Sequence, residues 1–209
     1  METEKDTYKT ILKASEEVLF KERGSKFFGY AFPVVSEEEV KEHIENLKKT
    51  HHTAHHFCYA WQLGKSYEHY RANDDGEPSN SAGMPIYGQL QSFDVTNILV
   101  VVVRYFGGTK LGVGGLIQAY KTAAQMALET CKIVERTIDK TFLLKFEYPE
   151  MNTVMRILKD EDINIVDQKM ELNCEFKIAV RKKDAERIFE LFENTYKVKI
   201  IKKQIPNSK

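Results

Sequence analysis

The stretch from Asn97 to Tyr120, NILVVVVRYFGGTKLGVGGLIQAY, carries the strongest fold signal in this chain. It opens with a run of Ile, Leu and Val about one strand long, a pattern typical of a strand that is buried on both faces. Apolar and helix-forming residues recur at helical spacing from Leu116 onward, which predicts a helix. The five glycines between these elements are Gly107, Gly108, Gly112, Gly114 and Gly115. The stretch therefore predicts a central strand, a glycine-rich loop and a helix.

A glycine-rich loop that leads into a helix is a typical place for an anion. Glycine lets a ligand approach the backbone closely, and the first turn of a helix leaves N–H groups unpaired. Arg104 and Lys110 would add positive charge. The nucleotide motifs are nevertheless incomplete, because Leu111 follows Lys110 where a Walker A loop needs Ser or Thr, and Ile117 replaces the last glycine of a dinucleotide fingerprint. The alternative is that these glycines only permit a tight turn and close packing.

Composition limits the class of protein. The 209 residues suffice for one large domain or two small ones. Lys and Arg together number 31, as do Asp and Glu, so a general nucleic-acid coat protein is disfavoured while a local basic patch is not. No apolar run reaches the roughly 20 residues of a membrane span, and the charged N-terminus does not look like a signal peptide. Three widely spaced cysteines, without metal or disulfide spacing, suit a reducing compartment. We therefore expect a cytoplasmic protein that does not bind membranes.

Two domains are expected, over residues 1–136 and 137–209, and together they predict an α+β fold. After a frayed start over 1–10, the first domain is expected to begin with a hairpin over 11–35. The stretch Ser36-Glu37-Glu38-Glu39 is a capping box, which predicts a helix from Ser36 to Lys49. Strands over 54–63 and 67–72, a loop over 73–83 and a short helix from about Pro85 should follow, and then the central strand, loop and long helix up to about Arg136. The second domain reads as β-α-β-β-α-β, the ferredoxin-like order.

Two groups of side chains could carry chemistry. His56 and Cys58 share one face of a predicted strand, but zinc would need two more ligands and none is evident, so no metal site is predicted. Asp74, Asp75 and Glu77 place three carboxylates in one loop, where they could hold Mg²⁺ through water or act as acid and base. The alternative is that they accept hydrogen bonds from nearby backbone N–H groups and pin the loop.

Four basic residues lie on predicted turns or strand ends: Arg23, Lys26, Arg104 and Lys110. If they gather on one edge of the domain, they form a phosphate-binding patch together with the glycine loop. If they do not, they are scattered surface charge. Sequence spacing leaves both interpretations open.

Several ordered motifs give the chain a resemblance to the IMPACT/YigZ family. They are Ala54-x-His56-x-Cys58-x-Ala60, Asp74-Asp75-Gly76-Glu77-Pro78, Ala82-Gly83-x-Pro85, Arg104-Tyr105-Phe106-Gly107-Gly108, Leu111-Gly112-x-Gly114-Gly115-Leu116 and Ala119-Tyr120. The resemblance implies two two-layer α/β sandwiches. The first would be similar to the second domain of ribosomal protein S-five, and the second to the last domain of elongation factor G.

The resemblance also implies a link to translation, because eukaryotic members with a similar domain act as translation regulators. We therefore expect a non-catalytic regulator that docks RNA, the ribosome or a translation factor. It should have no cofactor and no DNA specificity, and should be a monomer. Two alternatives remain open: a metal-dependent enzyme acting on a small phosphorylated substrate, and a protein-interaction adaptor.

Overall fold

The structure is a computed structural model that describes residues 6–202. These residues divide into two compact units. Residues Thr7–Arg136 form the first unit, and Asp6 groups with residues 137–202 in the second. Each unit has its own hydrophobic core and is described by itself below.

The first unit is organised around an antiparallel five-stranded sheet. Its strands are β2 (Val18–Glu22), β3 (Ser25–Pro33), β4 (His56–Leu63), β5 (His69–Asn73) and β6 (Ile98–Tyr105). Their order in the sheet is β2-β3-β6-β4-β5, so β6 is central. Every residue of β6 from Ile98 to Val103 is fully buried, as the apolar run predicts.

Helices cover both faces of this sheet. On one face, Ile98, Val100 and Val102 pack against α2 (Gly83–Ser92) and α3 (Gly112–Glu129). On the other face, Leu99, Val101 and Val103 pack with residues of α1 (Glu37–Thr50). The two-layer prediction is therefore wrong for this unit, which has three layers. The physical reason lies in β6 itself, because a strand that is apolar on both sides needs cover on both.

Local signals placed several elements of this unit correctly. The β2–β3 hairpin forms, although β2 begins only at Val18. The helix α1 begins after Ser36, whose Oγ accepts a hydrogen bond from the Glu39 N–H at 3.3 Å, as the capping signal predicts.

A small two-stranded sheet departs from the sequence prediction. It pairs β1 (Thr7–Ile11) with β7 (Ile133–Thr137). A frayed start was expected over 1–10, of which 1–5 lie outside the described residues, and a helix was expected up to Arg136. The helix instead ends at Glu129. The sequence pattern missed β1 and β7 because strands so far apart in sequence are stabilised by their pairing and leave little local signal.

The second unit has the predicted β-α-β-β-α-β order. Its elements are β8 (Asp139–Glu147), α4 (Met151–Asp160), β9 (Asn164–Lys169), β10 (Asn173–Arg181), α5 (Ala185–Glu193) and β11 (Val198–Lys202). The strands form one antiparallel sheet in the order β11-β8-β10-β9. Residues of both helices pack with alternate strand residues in one core. Within residues 6–202, no helix has the length and apolarity needed to cross a membrane.

Candidate functional site

The acidic loop between β5 and α2 is held in place by Asp74. Its Oδ1 accepts hydrogen bonds from the N–H groups of Ala82 at 2.9 Å and Gly83 at 2.8 Å, and its Oδ2 accepts from Asn80 N–H at 2.8 Å. Ala82, the residue at the start of α2, offers no side-chain cap. Asp74 therefore supplies the acceptor that a capping side chain would normally supply.

Asp75 fastens the same loop to β4. Its Oδ2 accepts a hydrogen bond from Phe57 N–H at 2.6 Å, and its carbonyl oxygen lies 2.8 Å from His56 Nδ1, which donates to it. Next to these contacts, the Cys58 thiol donates to the Asp74 carbonyl at 2.9 Å, and burial raises the pKa of this thiol. Asp74 and Asp75 thus have the loop-pinning arrangement that the sequence left as one alternative.

Glu77 forms the centre of a buried polar cluster. Its Oε1 accepts from Arg104 Nη1 at 2.5 Å and from Tyr120 Oη at 2.8 Å. The side chains of Glu77 and Arg104 are only 4% and 6% exposed. Burial is the main cause of a strongly raised pKa for Tyr120, with smaller contributions from Cys58 and Glu77, so its hydroxyl keeps the proton that it donates. The cluster joins the acidic loop, β6 and α3.

Arg104 is therefore not an open phosphate contact, in contrast to the sequence expectation. Its guanidinium lies 5.5 Å from the Phe27 ring centroid and 5.6 Å from that of Phe106, and Glu77 neutralises its charge. Sequence reasoning placed Arg104 correctly at the end of β6. It could not show that the loop carrying Glu77, 27 residues earlier, folds over this strand end.

The turn of the β2–β3 hairpin lies directly against the start of the glycine loop. Ser25 Oγ accepts a hydrogen bond from Gly107 N–H at 3.1 Å. A Cβ atom on Gly107 would lie 1.9 Å from the carbonyl carbon of Gly24, so only glycine fits there. This contact brings exposed Arg23 and Lys26 to the same edge as the loop over residues 106–111.

A further lysine, which sequence reasoning missed, belongs to this edge. Lys21 lies directly opposite Lys26 across the hairpin, and both are exposed. Within residues 6–202 neither lysine has a carboxylate partner within ion-pair distance, whereas Arg23 lies 3.6 Å from Glu22. The hairpin therefore carries uncompensated positive charge. Like charges directly opposite each other also destabilise a sheet. The symmetric spacing around the Arg23-Gly24 turn was the available signal.

The glycine loop leaves open space above itself. Gly108 and Gly112 have positive φ values of 86° and 73°, and a Cβ on either would meet no atom within 4 Å. The helix α3 begins at Gly112 without a side-chain cap, so Gly114 and Gly115 lie in its first turn. Lys110 is exposed on the same loop. We call Lys21, Arg23, Lys26 and the loop over residues 106–111 the hairpin–loop patch.

A separate hydrogen-bonded chain lies on the α1 side of the sheet. The Tyr30 hydroxyl donates to Glu17, and His51 Nε2 lies 2.6 Å from the same hydroxyl. Since Tyr30 has already given its hydrogen to Glu17, His51 Nε2 donates to Tyr30, and Nδ1 accepts from the Tyr105 hydroxyl at 2.9 Å. Burial lowers the pKa of His51, which favours the neutral ring.

The carboxylates of the acidic loop are bonded within the protein. Within residues 6–202, no group of three His, Cys, Asp or Glu side chains is placed to hold a metal ion. The carboxylates of the acidic loop face N–H, O–H and guanidinium donors. Exposed residues next to this cluster include Lys110, Phe106 and Asp75.

The chain is thus an α+β protein in which a buried Arg–Glu pair ties an acidic loop to a glycine-rich strand exit. The model of the Impact N-terminal domain matches residues 23–128. The chain is 33% identical over 184 residues to the IMPACT family member YvyE of Bacillus subtilis (strain 168), covering 88% of this chain and 84% of that protein. It is 32% identical over 145 residues to the IMPACT family member YigZ of Escherichia coli (strain K12), covering 68% and 71% respectively. The chain belongs to the IMPACT family.

A solved structure shares the fold of this chain. It is described as a hypothetical protein, and the matched region spans 96% of this chain and 99% of that protein's chain. The TM-score is 0.70 and the sequence identity is 24%. Another is described as the two-domain translational regulator Yih1. The matched region spans 56% of this chain and 45% of the Yih1 chain, with 28% identity and a TM-score of 0.35.

Proposed function

We propose that this protein is a non-catalytic binding protein that acts in the regulation of translation and docks RNA on the hairpin–loop patch. The observation that carries the proposal is the exposed pair Lys21 and Lys26, which lie opposite each other beside the open glycine loop. Repulsion between them costs stability that a bound polyanion would recover. Arg23 and Lys110 extend the same positive surface.

The proposed ligand follows from the chemistry of this surface. Phosphate groups accept hydrogen bonds from lysine, arginine and free backbone N–H groups, and the first turn of α3 offers such N–H groups. Phe106 is 51% exposed beside the loop and gives a base a surface on which to stack. Positive charge, open backbone and an exposed ring favour RNA over a purely apolar partner.

The link to translation is proposed from the family. The motifs in the acidic and glycine loops resemble those of eukaryotic members that regulate translation. We further propose that the first unit resembles the second domain of ribosomal protein S-five and the second unit the last domain of elongation factor G. Both likenesses point towards ribosomal RNA or a ribosome-bound factor in the cytoplasm, by analogy of fold.

The metal-dependent enzyme receives less support from the geometry. Its candidate groups were Asp74, Asp75 and Glu77, and each of these carboxylates already accepts hydrogen bonds inside the protein. Recruiting them to a metal would unpin the loop and leave N–H groups of α2 without acceptors.

Sedimentation of the tagged protein through sucrose gradients of cell lysate tests the proposal. At low salt the wild type is expected to travel with ribosomal particles, and at high salt to remain at the top. Lys21→Ala/Lys26→Ala should remain at the top at both salts. The matched control is Lys41→Ala/Lys65→Ala, which removes two exposed lysines elsewhere in the unit and should behave as wild type. Wild type that stays at the top at every salt would refute the ribosome-linked function.

A further inference from the structure

A groove of about 490 Å³ runs between α2 and α3, away from the buried Arg104 cluster. Its lining residues are Pro85, Gly88, Gln89, Ser92, Phe93, Ile117, Lys121 and Gln125. One wall follows Gly88 and Ser92 on α2, and the other follows Ile117, Lys121 and Gln125 on α3. Both walls therefore have the four-residue spacing that makes a ridge on a helix.

Packing inside this protein does not require a glycine at position 88. It lies within α2, where glycine is less favourable than alanine, and a Cβ atom there would meet nothing within 4 Å. Gly83 on the same helix is different, because its Cβ would lie 2.5 Å from Asn73 N. Only Gly83 is thus required by internal packing. A partner that approaches α2 closely at Gly88 would give the second glycine a use.

The character of the groove indicates a protein helix. Its apolar residues Pro85, Phe93 and Ile117 are only partly covered, and Ile117 is 38% exposed. One turn before Gly88 and Ile117, Met84 and Val113 continue the two rows and are 40% and 53% exposed. The walls are helices whose backbone groups bond within themselves, so an extended peptide would find no strand edge to pair with. A third helix instead fits a groove between two ridged helices.

Charge decides which helix fits. Lys121 is the charged residue of the lining, and among the described residues it has no carboxylate within ion-pair distance. Ser92 and Gln125 are exposed polar residues of the lining, whereas Gln89 is buried. Gln125 Nε2 donates to Glu129 Oε1 at 2.8 Å. We propose that the α2–α3 groove docks an amphipathic helix of a partner protein that sets an apolar ridge over Gly88 and a carboxylate against Lys121. The partner class and the surface are both distinct from those of the proposed RNA docking.

Two synthetic helical peptides serve as probes. Both carry leucines at four-residue spacing on one face, with glutamates flanking that face in one peptide and lysines at the same positions in the other. Titration into ¹⁵N-labelled full-length protein gives affinity, and shifted amides give location. We expect the acidic peptide to bind at least tenfold more tightly than the basic one, with shifts centred on Gly88, Ser92 and Ile117.

Variants make the test specific. A Cβ atom at position 88 meets no atom within 4 Å, so Gly88→Leu should weaken acidic-peptide binding at least tenfold while the melting temperature is maintained. Lys121→Glu should reverse the preference to the basic peptide, whereas the matched Lys41→Glu and the Lys21→Ala/Lys26→Ala variant should bind as wild type. The proposal is overturned if neither peptide binds, if both bind alike, or if Gly88→Leu binds as wild type. It is also overturned if Gly88→Leu abolishes self-association or RNA binding instead, because the occupant would then be a second copy or a nucleic acid.

Discussion

Arg104 Nη1 lies 2.5 Å from Glu77 Oε1, and both side chains are almost completely removed from water. Tyr120 donates to the same oxygen, so three elements meet at one carboxylate. Arg104 and Glu77 belong to the two motifs that resemble binding sequences, Arg-Tyr-Phe-Gly-Gly and Asp-Asp-Gly-Glu-Pro. These two residues therefore serve the folded structure of the unit. The exposed residues of these motifs are Asp75, Gly76, Pro78, Phe106, Gly107 and Gly108.

Breaking this pair should destabilise the first unit strongly. Arg104→Ala leaves the Glu77 carboxylate buried with only Tyr120 as donor, and the free energy of unfolding should fall by about 3–5 kcal/mol. Urea denaturation followed by circular dichroism measures the loss. The double variant Arg104→Met/Glu77→Leu removes both charges, so it should lose less than Arg104→Ala alone. Equal stability of Arg104→Ala and wild type would contradict the structural role. Because of this role, loss of RNA binding in Arg104→Ala would not by itself locate a binding site.

Asp74 should be needed for the start of α2. Asp74→Ala removes the acceptor for three backbone N–H groups and should cost about 1–2 kcal/mol of unfolding free energy. Asp74→Asn keeps one carbonyl oxygen and should cost less. Amide hydrogen exchange at Ala82 and Gly83 is the local readout, and unchanged protection of both amides in Asp74→Ala would argue against the capping role.

Stability should fall in mildly acidic solution because of His51. Burial lowers its folded-state pKa below the usual 6.5, so the unfolded chain takes up a proton first as the pH is lowered. The contribution of the neutral histidine is complete above about pH 6.5 and is lost as the pH falls from there towards the lowered pKa. The nearby Glu17 carboxylate opposes this shift, while Tyr30 and Tyr105 hold the ring through hydrogen bonds. Urea midpoints between pH 7.5 and 5 measure the effect, and His51→Gln should flatten the slope. An identical slope in wild type and variant would contradict it.

Two glycines of α2 should respond in opposite ways to alanine. Gly88→Ala should raise the unfolding free energy by about 1 kcal/mol, because the new methyl group enters open space in a helix interior. Gly83→Ala should lower it, because the methyl group would press against the backbone of Asn73. Thermal or urea unfolding of both variants gives the comparison. A destabilised Gly88→Ala would mean that the groove is already filled from within.

Local patterns carried much of the fold. The apolar run of β6 indicated its central position, and the Ser36 capping signal located the start of α1, because both depend on residues that are neighbours in sequence. The pairing of β1 with β7 and the closure of Glu77 over Arg104 could not be predicted in this way, since each joins segments far apart in the chain. The three-layer arrangement could have been predicted from the sequence, because β6 alone requires cover on both faces.

The candidate site was predictable in its parts more than in its arrangement. Loop pinning by Asp74 and Asp75 was one of two interpretations that the sequence left open, and their hydrogen bonds agree with it. The interpretation of Arg104 changed once its burial was known. Lys21 was overlooked because its importance depends on strand register, which places it opposite Lys26. A shift of one residue would have moved it to the other face.

Fluorescence anisotropy with a labelled single-stranded RNA measures whether the hairpin–loop patch binds RNA. Affinity should be measured from low to high salt for wild type, Lys21→Ala/Lys26→Ala and the control Lys41→Ala/Lys65→Ala. Lys21→Ala/Lys26→Ala is expected to bind about tenfold or more weakly at low salt, with a slope of log affinity against log salt smaller by about one per lysine removed. Equal affinity and slope for the two double variants, or no binding by the wild type, would contradict it.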